Sequence, residues 1–148
     1  MIQSMNAILN SSQYQNYRRI SLVVVHCSAT RCDRDFPLEA VIAAHRARGF
    51  ATIGYHYYIT RDGVIHAGRP VHQVGAHAQG YNRYSIGVCY EGGLTPRGFP
   101  ADTRTQQQKE SLNRLLERLK TDYPGVRVMG HRDLPGVHKE CPCFTVDA

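Results

Sequence analysis

Residues 20–26 read ISLVVVH, a continuous apolar run of strand length rich in β-branched side chains. A half-exposed strand alternates apolar with polar residues; this one does not, so it predicts a strand buried on both faces. Such a strand needs cover on each side, and the flanking sequence offers it. After a small-residue loop at 27–30 (CSAT), residues 36–45 (FPLEAVIAAH) read as a helix, with Asp35 as cap, Pro37 in the first turn and Gly49 past its end. Residues 53–60 (IGYHYYIT) are strand-like, and Arg61-Asp62-Gly63 supplies a hairpin turn into a partner strand at 64–67. Residues 85–90 (SIGVCY) form another strand, closed by Glu91-Gly92-Gly93. Across residues 105–120, Leu112, Leu115, Leu116 and Leu119 recur at helical spacing. A short strand follows at 126–129 (VRVM), and beyond Gly130 the chain is loop, punctuated by Gly, Pro and Cys. The pattern predicts one α/β domain with a central mixed sheet flanked by helices and its chemistry at strand ends and loops.

Composition narrows the function. At 148 residues the chain is of single-domain size, and 42% hydrophobic with 20% charged residues is globular rather than disordered. No apolar run approaches the roughly 18 residues of a membrane span. A net charge of +6 favours an anionic partner without choosing between nucleic acid and cell wall. The basic residues are dispersed and no recognition motif accompanies them, so nucleic-acid binding is not expected. Five cysteines cannot all pair within the chain, which argues against a disulfide framework and turns attention to thiol or metal chemistry. Residues 1–18 read as a polar lead-in without the basic and apolar regions of an export signal, so the expected location is the cytoplasm as synthesised.

Two imidazoles and a thiolate fall where a metal site would need them. His26 ends the first strand, His131 follows the last, and Cys141 lies in the loop beyond. That set suits Zn2+ and leaves the fourth tetrahedral position open for water. The spacing is not a compact metal motif, and a strand-end histidine is more often a hydrogen-bonded one than a ligand, a lone cysteine more often a small buried hydrophobe. Cys143 competes with Cys141 as the ligand, and a disulfide between the two would be strained.

Seven segments occur in an order that carries more information than any one of them: 25–30 (VHCSAT), 54–57 (GYHY), 61–63 (RDG), 75–77 (GAH), 80–82 (GYN), 85–88 (SIGV) and 139–142 (KECP). Together they resemble the type 2 N-acetylmuramoyl-L-alanine amidases, specifically the small phage-lysozyme type, whose fold is shared with peptidoglycan recognition proteins. The resemblance runs over about residues 19–144, within a domain at 19–148. It implies that His26, His131 and Cys141 bind one zinc ion and that Tyr55 and Lys139 are catalytic, assisting hydrolysis of the amide between N-acetylmuramic acid and L-alanine. Residues 132–138 form a longer loop than in the phage pattern, which places His138 beside Lys139 as a rival for its role. Non-catalytic recognition members typically lose the cysteine, so a binding-only module on this fold is the alternative that the complete set argues against.

The resemblance also implies a substrate-lining role for His77. Asn82 and Tyr81 read as groove-lining or, for Asn82, as a turn former. Arg31, with Arg34, is a candidate for a stem-peptide carboxylate. Strand alternation across 54–58 puts Tyr55 and Tyr57 on one face and His56 on the other, making His56 structural if Tyr55 faces the metal. Cys89 is expected to be buried, and Cys27 either packs or perturbs the neighbouring ligand. The expected partner is peptidoglycan, met after release from the cytoplasm or as recycled fragments. No membrane is implicated, a monomer is expected, and the sequence carries no positive sign of a protein partner.

Overall fold

A computed structural model describes residues 18–147. The apolar run becomes β1 (Leu22–Cys27), with all six residues buried. It lies between β5 (Ser85–Tyr90) and β7 (Arg127–Gly130), parallel to both. β3 (Tyr57–Ile59) pairs parallel with β5, and β4 (Ile65–Ala67) pairs antiparallel with β3. The order β4-β3-β5-β1-β7 makes a mixed five-stranded sheet. On one face Val23, Val25 and Cys27 join Ile86, Val88 and the four leucines of α2 (Gln106–Asp122). On the other, Leu22 and Val24 meet Ala78 and Leu134, while Tyr58 and Cys89 meet Val41 of α1 (Leu38–Ala47). Double cover is why the run shows no polar alternation, each fully buried valine contributing roughly 1.5–3 kcal/mol.

α2 begins in a capping box. Thr105 Oγ1 accepts from the Gln108 N–H at 3.1 Å, and Gln108 Oε1 accepts from the Thr105 N–H at 3.0 Å. The buried Gln108 amide also donates to the carbonyls of Ile59 and Glu91, tying the helix start to the ends of β3 and β5. α1 starts later than its sequence suggests. Pro37 occupies the N-cap rather than the first turn, and no side chain caps the helix. Asp35 is engaged elsewhere, in an ion pair with Arg61. Gly49, at φ +97°, carries the chain out of the helix, as expected.

Three further expectations change. The strand read at 53–60 pairs only over Tyr57–Ile59. Upstream, the backbone at Gly54 bonds instead to His45 Nδ1 and the Ala76 N–H. The alternation argument therefore fails: Tyr55 packs on the α1 face with Tyr58 and Cys89, while Tyr57 packs on the α2 face. A second sheet pairs β2 (Thr30–Arg31) with β6 (Gly93–Leu94), two residues each, in stretches read as loop. The lead-in at 1–18 lies outside the described residues, Arg18 excepted.

Candidate metal centre

β1 and β7 are parallel neighbours, with Val25 opposite Gly130, so their C-terminal ends emerge side by side. His26 sits at the end of β1, and the pleat that sends Val25 toward α2 sends His26 to the opposite face. His131 opens a 3-10 turn (His131–Asp133) directly after β7, held by the Gly130 N–H donating to Asp133 Oδ2 at 3.1 Å. The C-terminal loop brings in Cys141. The Arg132 N–H donates to the Cys141 carbonyl at 2.8 Å, and the Tyr90 hydroxyl to the Pro142 carbonyl at 2.6 Å. Phe144 packs beneath the Arg104 guanidinium, 3.4 Å from the ring centroid.

One ligand atom from each of His26, His131 and Cys141 lies within 4.8 Å of the other two. The rival, Cys143, faces away and lies 3.9 Å from the Cys27 thiol. His26 directs Nδ1 at the Cys141 sulfur, 3.9 Å off, and the Cys27 backbone N–H donates to that sulfur at 3.2 Å. Burial, then His77 and His131, hold the His26 pKa well below its ordinary value; burial and Lys139 lower that of His131. Both imidazoles are therefore neutral with a lone pair to offer, as metal ligands must be. Two neutral imidazoles and one thiol at this separation fit a tetrahedral, borderline-soft cation with one position free.

The group lies in a cleft of about 870 Å³. Tyr55 forms one wall, its ring centroid 5.1 Å from that of His26 and 5.2 Å from that of His45. Burial, then Cys89 and Cys141, push its phenol pKa well up, so it stays a proton donor at neutral pH. Lys139 and His138 are exposed and also line the cleft. His45 was not singled out by sequence, yet it lines the cleft. Its Nδ1 accepts the Gly54 N–H at 2.8 Å, which puts the imidazole hydrogen on Nε2. Burial, then Arg48 and Arg69, lower its pKa. A signal was available: Val41 and His45 are the buried residues of α1 and stand four apart, so a histidine occupies the apolar stripe.

The other expected site residues separate. His77 and Asn82 both line the cleft. Asn82 Oδ1 accepts the backbone N–H groups of His77 and Ala78 at 3.0 and 2.9 Å, so the side chain also closes their turn. Arg31, with Arg34, lines a different hollow of about 310 Å³ beside Phe36 and Leu94. His56 stands behind the site, 1% exposed, its Nδ1 accepting from the Gly87 N–H and its Nε2 set against the Gln73 carbonyl. Cys89 is fully buried and the Cys27 side chain packs in the α2-face core, as two of the sequence readings have them.

The chain is similar to known proteins along most of its length. The profile of the N-acetylmuramoyl-L-alanine amidase family matches residues 16–144. The endolysin of Enterobacteria phage K11 is 39% identical over 132 residues, covering 89% of this chain and 86% of that one. Among solved structures, the endolysin N-acetylmuramoyl-L-alanine amidase LysCS from Clostridium intestinale URNW superposes with a TM-score of 0.72 at 31% identity, over 86% of this chain and 76% of that one. Drosophila PGRP-LB superposes with a TM-score of 0.69 at 25% identity, over 84% and 75% of the two chains. Since the profile runs through both histidines and the cysteine and the relatives match along most of their own length, the chain belongs to the N-acetylmuramoyl-L-alanine amidase family and is a peptidoglycan amidase.

Proposed function

We propose that the chain is a zinc hydrolase, with one Zn2+ held by His26, His131 and Cys141, cleaving the amide between N-acetylmuramic acid and L-alanine. The observation that carries this reading is the His–His–Cys group on the floor of a cleft large enough for a muramyl peptide, with a phenol and an ammonium on its walls. An amide is a poor electrophile, and zinc, when bound, supplies an acidified water and an electrophile for the carbonyl. The protein's own groups do the rest. Tyr55, protonated and beside His26, donates a hydrogen bond to the oxygen that gains charge as the carbonyl becomes tetrahedral. Lys139 brings a positive charge to the cleft and lowers the basicity of both histidine ligands. His45 lines the cleft with its hydrogen on Nε2, which makes it a neutral donor available to a polar group of the substrate. The net charge of +6 adds a modest, salt-screened attraction to an anionic wall.

Mass spectrometry of digested peptidoglycan tests this directly. The expected products are free lactyl carboxylates on muramic acid and peptides with new L-alanine amino termini. Activity is expected to vanish with a chelator and return with Zn2+. Reducing sugar ends instead of free peptides would overturn the bond assignment, and full activity after exhaustive chelation would overturn the metal.

A further inference from the structure

We propose that His77 is a positioning residue that fixes the tautomer and ring orientation of His26, rather than a substrate contact; this rests on the zinc reading above. The His26 ring has Nδ1 toward Cys141 and Nε2 at 2.9 Å from His77 Nδ1. A ligand atom needs a free lone pair, so Nδ1 must be bare and the hydrogen must sit on Nε2. That N–H then donates to His77 Nδ1, which obliges His77 to carry its own hydrogen on Nε2. The Nε2 of His77 in turn lies 3.2 Å from the hydroxyl oxygen of Ser85, a fully buried side chain at the start of β5. The direction of every hydrogen bond from the ligand to Ser85 is thereby determined.

The ring is also held by the space around it. A Cβ at Gly87 would fall 2.6 Å from His77 Cγ, and one at Gly75 would fall 2.8 Å from His77 Cδ2. Two glycines therefore form a seat that closes on the imidazole if either gains a side chain. The backbone N–H of His77 is fixed by Asn82 at 3.0 Å. Both ring nitrogens are engaged within the protein, so His77 offers the cleft only a ring edge. A residue meant to recognise a sugar hydroxyl or a peptide group would leave one nitrogen facing the ligand. This one faces the metal ligand instead.

The test is zinc affinity, measured by competition with a chromogenic chelator, with folding followed by circular dichroism. Loss of a hydrogen-bond partner behind a ligating histidine typically weakens metal binding by about 10–100-fold, and that range is expected for His77→Ala. His77→Asn, whose amide oxygen can accept from His26, should recover part of the loss. Ser85→Ala should show a smaller loss in the same direction. Long-range 1H–15N spectra of the zinc-loaded wild type give a readout that needs no variant: His26 is expected to be bare at Nδ1 and protonated at Nε2, and His77 protonated at Nε2 alone. Zinc affinity unchanged in His77→Ala, or His26 binding through Nε2, overturns the positioning role while leaving the metal reading intact. A wild-type protein that takes up no zinc overturns both.

Discussion

The two faces of the central sheet are built from alternate residues of the same strands, and they do opposite work. Toward α2, β1 presents Val23, Val25 and Cys27 to Leu112, Leu115, Leu116 and Leu119. Toward α1 and the loops it presents Leu22, Val24 and His26, and that side gathers His45, His56 and His77 as well. The α2 face is held mainly by apolar contact, with buried polar groups such as the Gln108 amide and the Tyr90 hydroxyl donating to backbone carbonyls. The other buries imidazoles, each costing free energy unless its polar atoms are satisfied. They are satisfied, by Gly54, Gly87, Gln73, Ser85 and one another. No buried side-chain nitrogen or oxygen among the described residues lacks a partner. One face therefore rests mainly on apolar burial, with Cys141 packed at its edge, and the other supplies chemistry that depends on protons and metal.

The sharpest way to separate the faces is to remove the thiol ligand. Cys141→Ala is expected to abolish both bound zinc and amidase activity, while the chelator-treated variant unfolds close to the temperature of chelator-treated wild type. A large drop in that apo stability would mean Cys141 is chiefly structural. Tyr55→Phe comes next. It removes one donor and leaves the ligands untouched, so zinc content should hold while kcat falls on the order of 10²–10³-fold, the usual effect of deleting an oxyanion donor. A fully active phenylalanine variant would reduce Tyr55 to a packing residue.

The faces also differ in how much of each could be read from the chain. The β1 run and the leucines of α2 were legible because apolar contact writes itself as local periodicity. The ligands were less so: strand ends at 26 and 131 and a cysteine at 141 carry no compact spacing, so position made them candidates and the ordered resemblance set them above their rivals. The resemblance singled out Tyr55, but strand alternation put it on the wrong face, because aromatic and β-branched residues at 53–60 look like strand while Gly54 is bound to His45 and Ala76. His77 read as a loop residue because its partners, His26 and Ser85, are 51 and 8 positions away. Asp35 read as a cap because its competitor, Arg61, is 26 residues distant. Long-range hydrogen bonds define the α1 face, and one-dimensional patterns do not contain them.

On the α2 face, Leu112→Ala should cost about 2–5 kcal/mol of unfolding free energy, since Leu112 is 2% exposed in the centre of the cluster. The folded fraction should bind zinc as wild type does. A coupled loss of zinc affinity would show that the faces are not energetically separate.

The smallest expected effect comes from protons on the histidine face. Burial lowers the His56 pKa from 6.5 to about 4, and Arg18 pushes the same way, while the Gln73 carbonyl opposes. The folded pKa is thus below the unfolded one, so between these values the unfolded chain binds the extra proton. Stability is then complete above pH 6.5 and is lost as pH falls toward 4. For His56 alone the loss reaches about 2 kcal/mol at pH 5 and about 3 kcal/mol at pH 4. Protonation at Nδ1 would also end its bond from the Gly87 N–H, beside the seat of His77. Urea unfolding of the chelator-treated protein at several pH values measures this slope without a contribution from the metal. In His56→Gln, whose amide carries no titrating proton, the slope across pH 4–6.5 should be shallower. An unchanged slope would assign the acid sensitivity to the other buried imidazoles, and the α2 face, which titrates nowhere in this range, would still have no part in it.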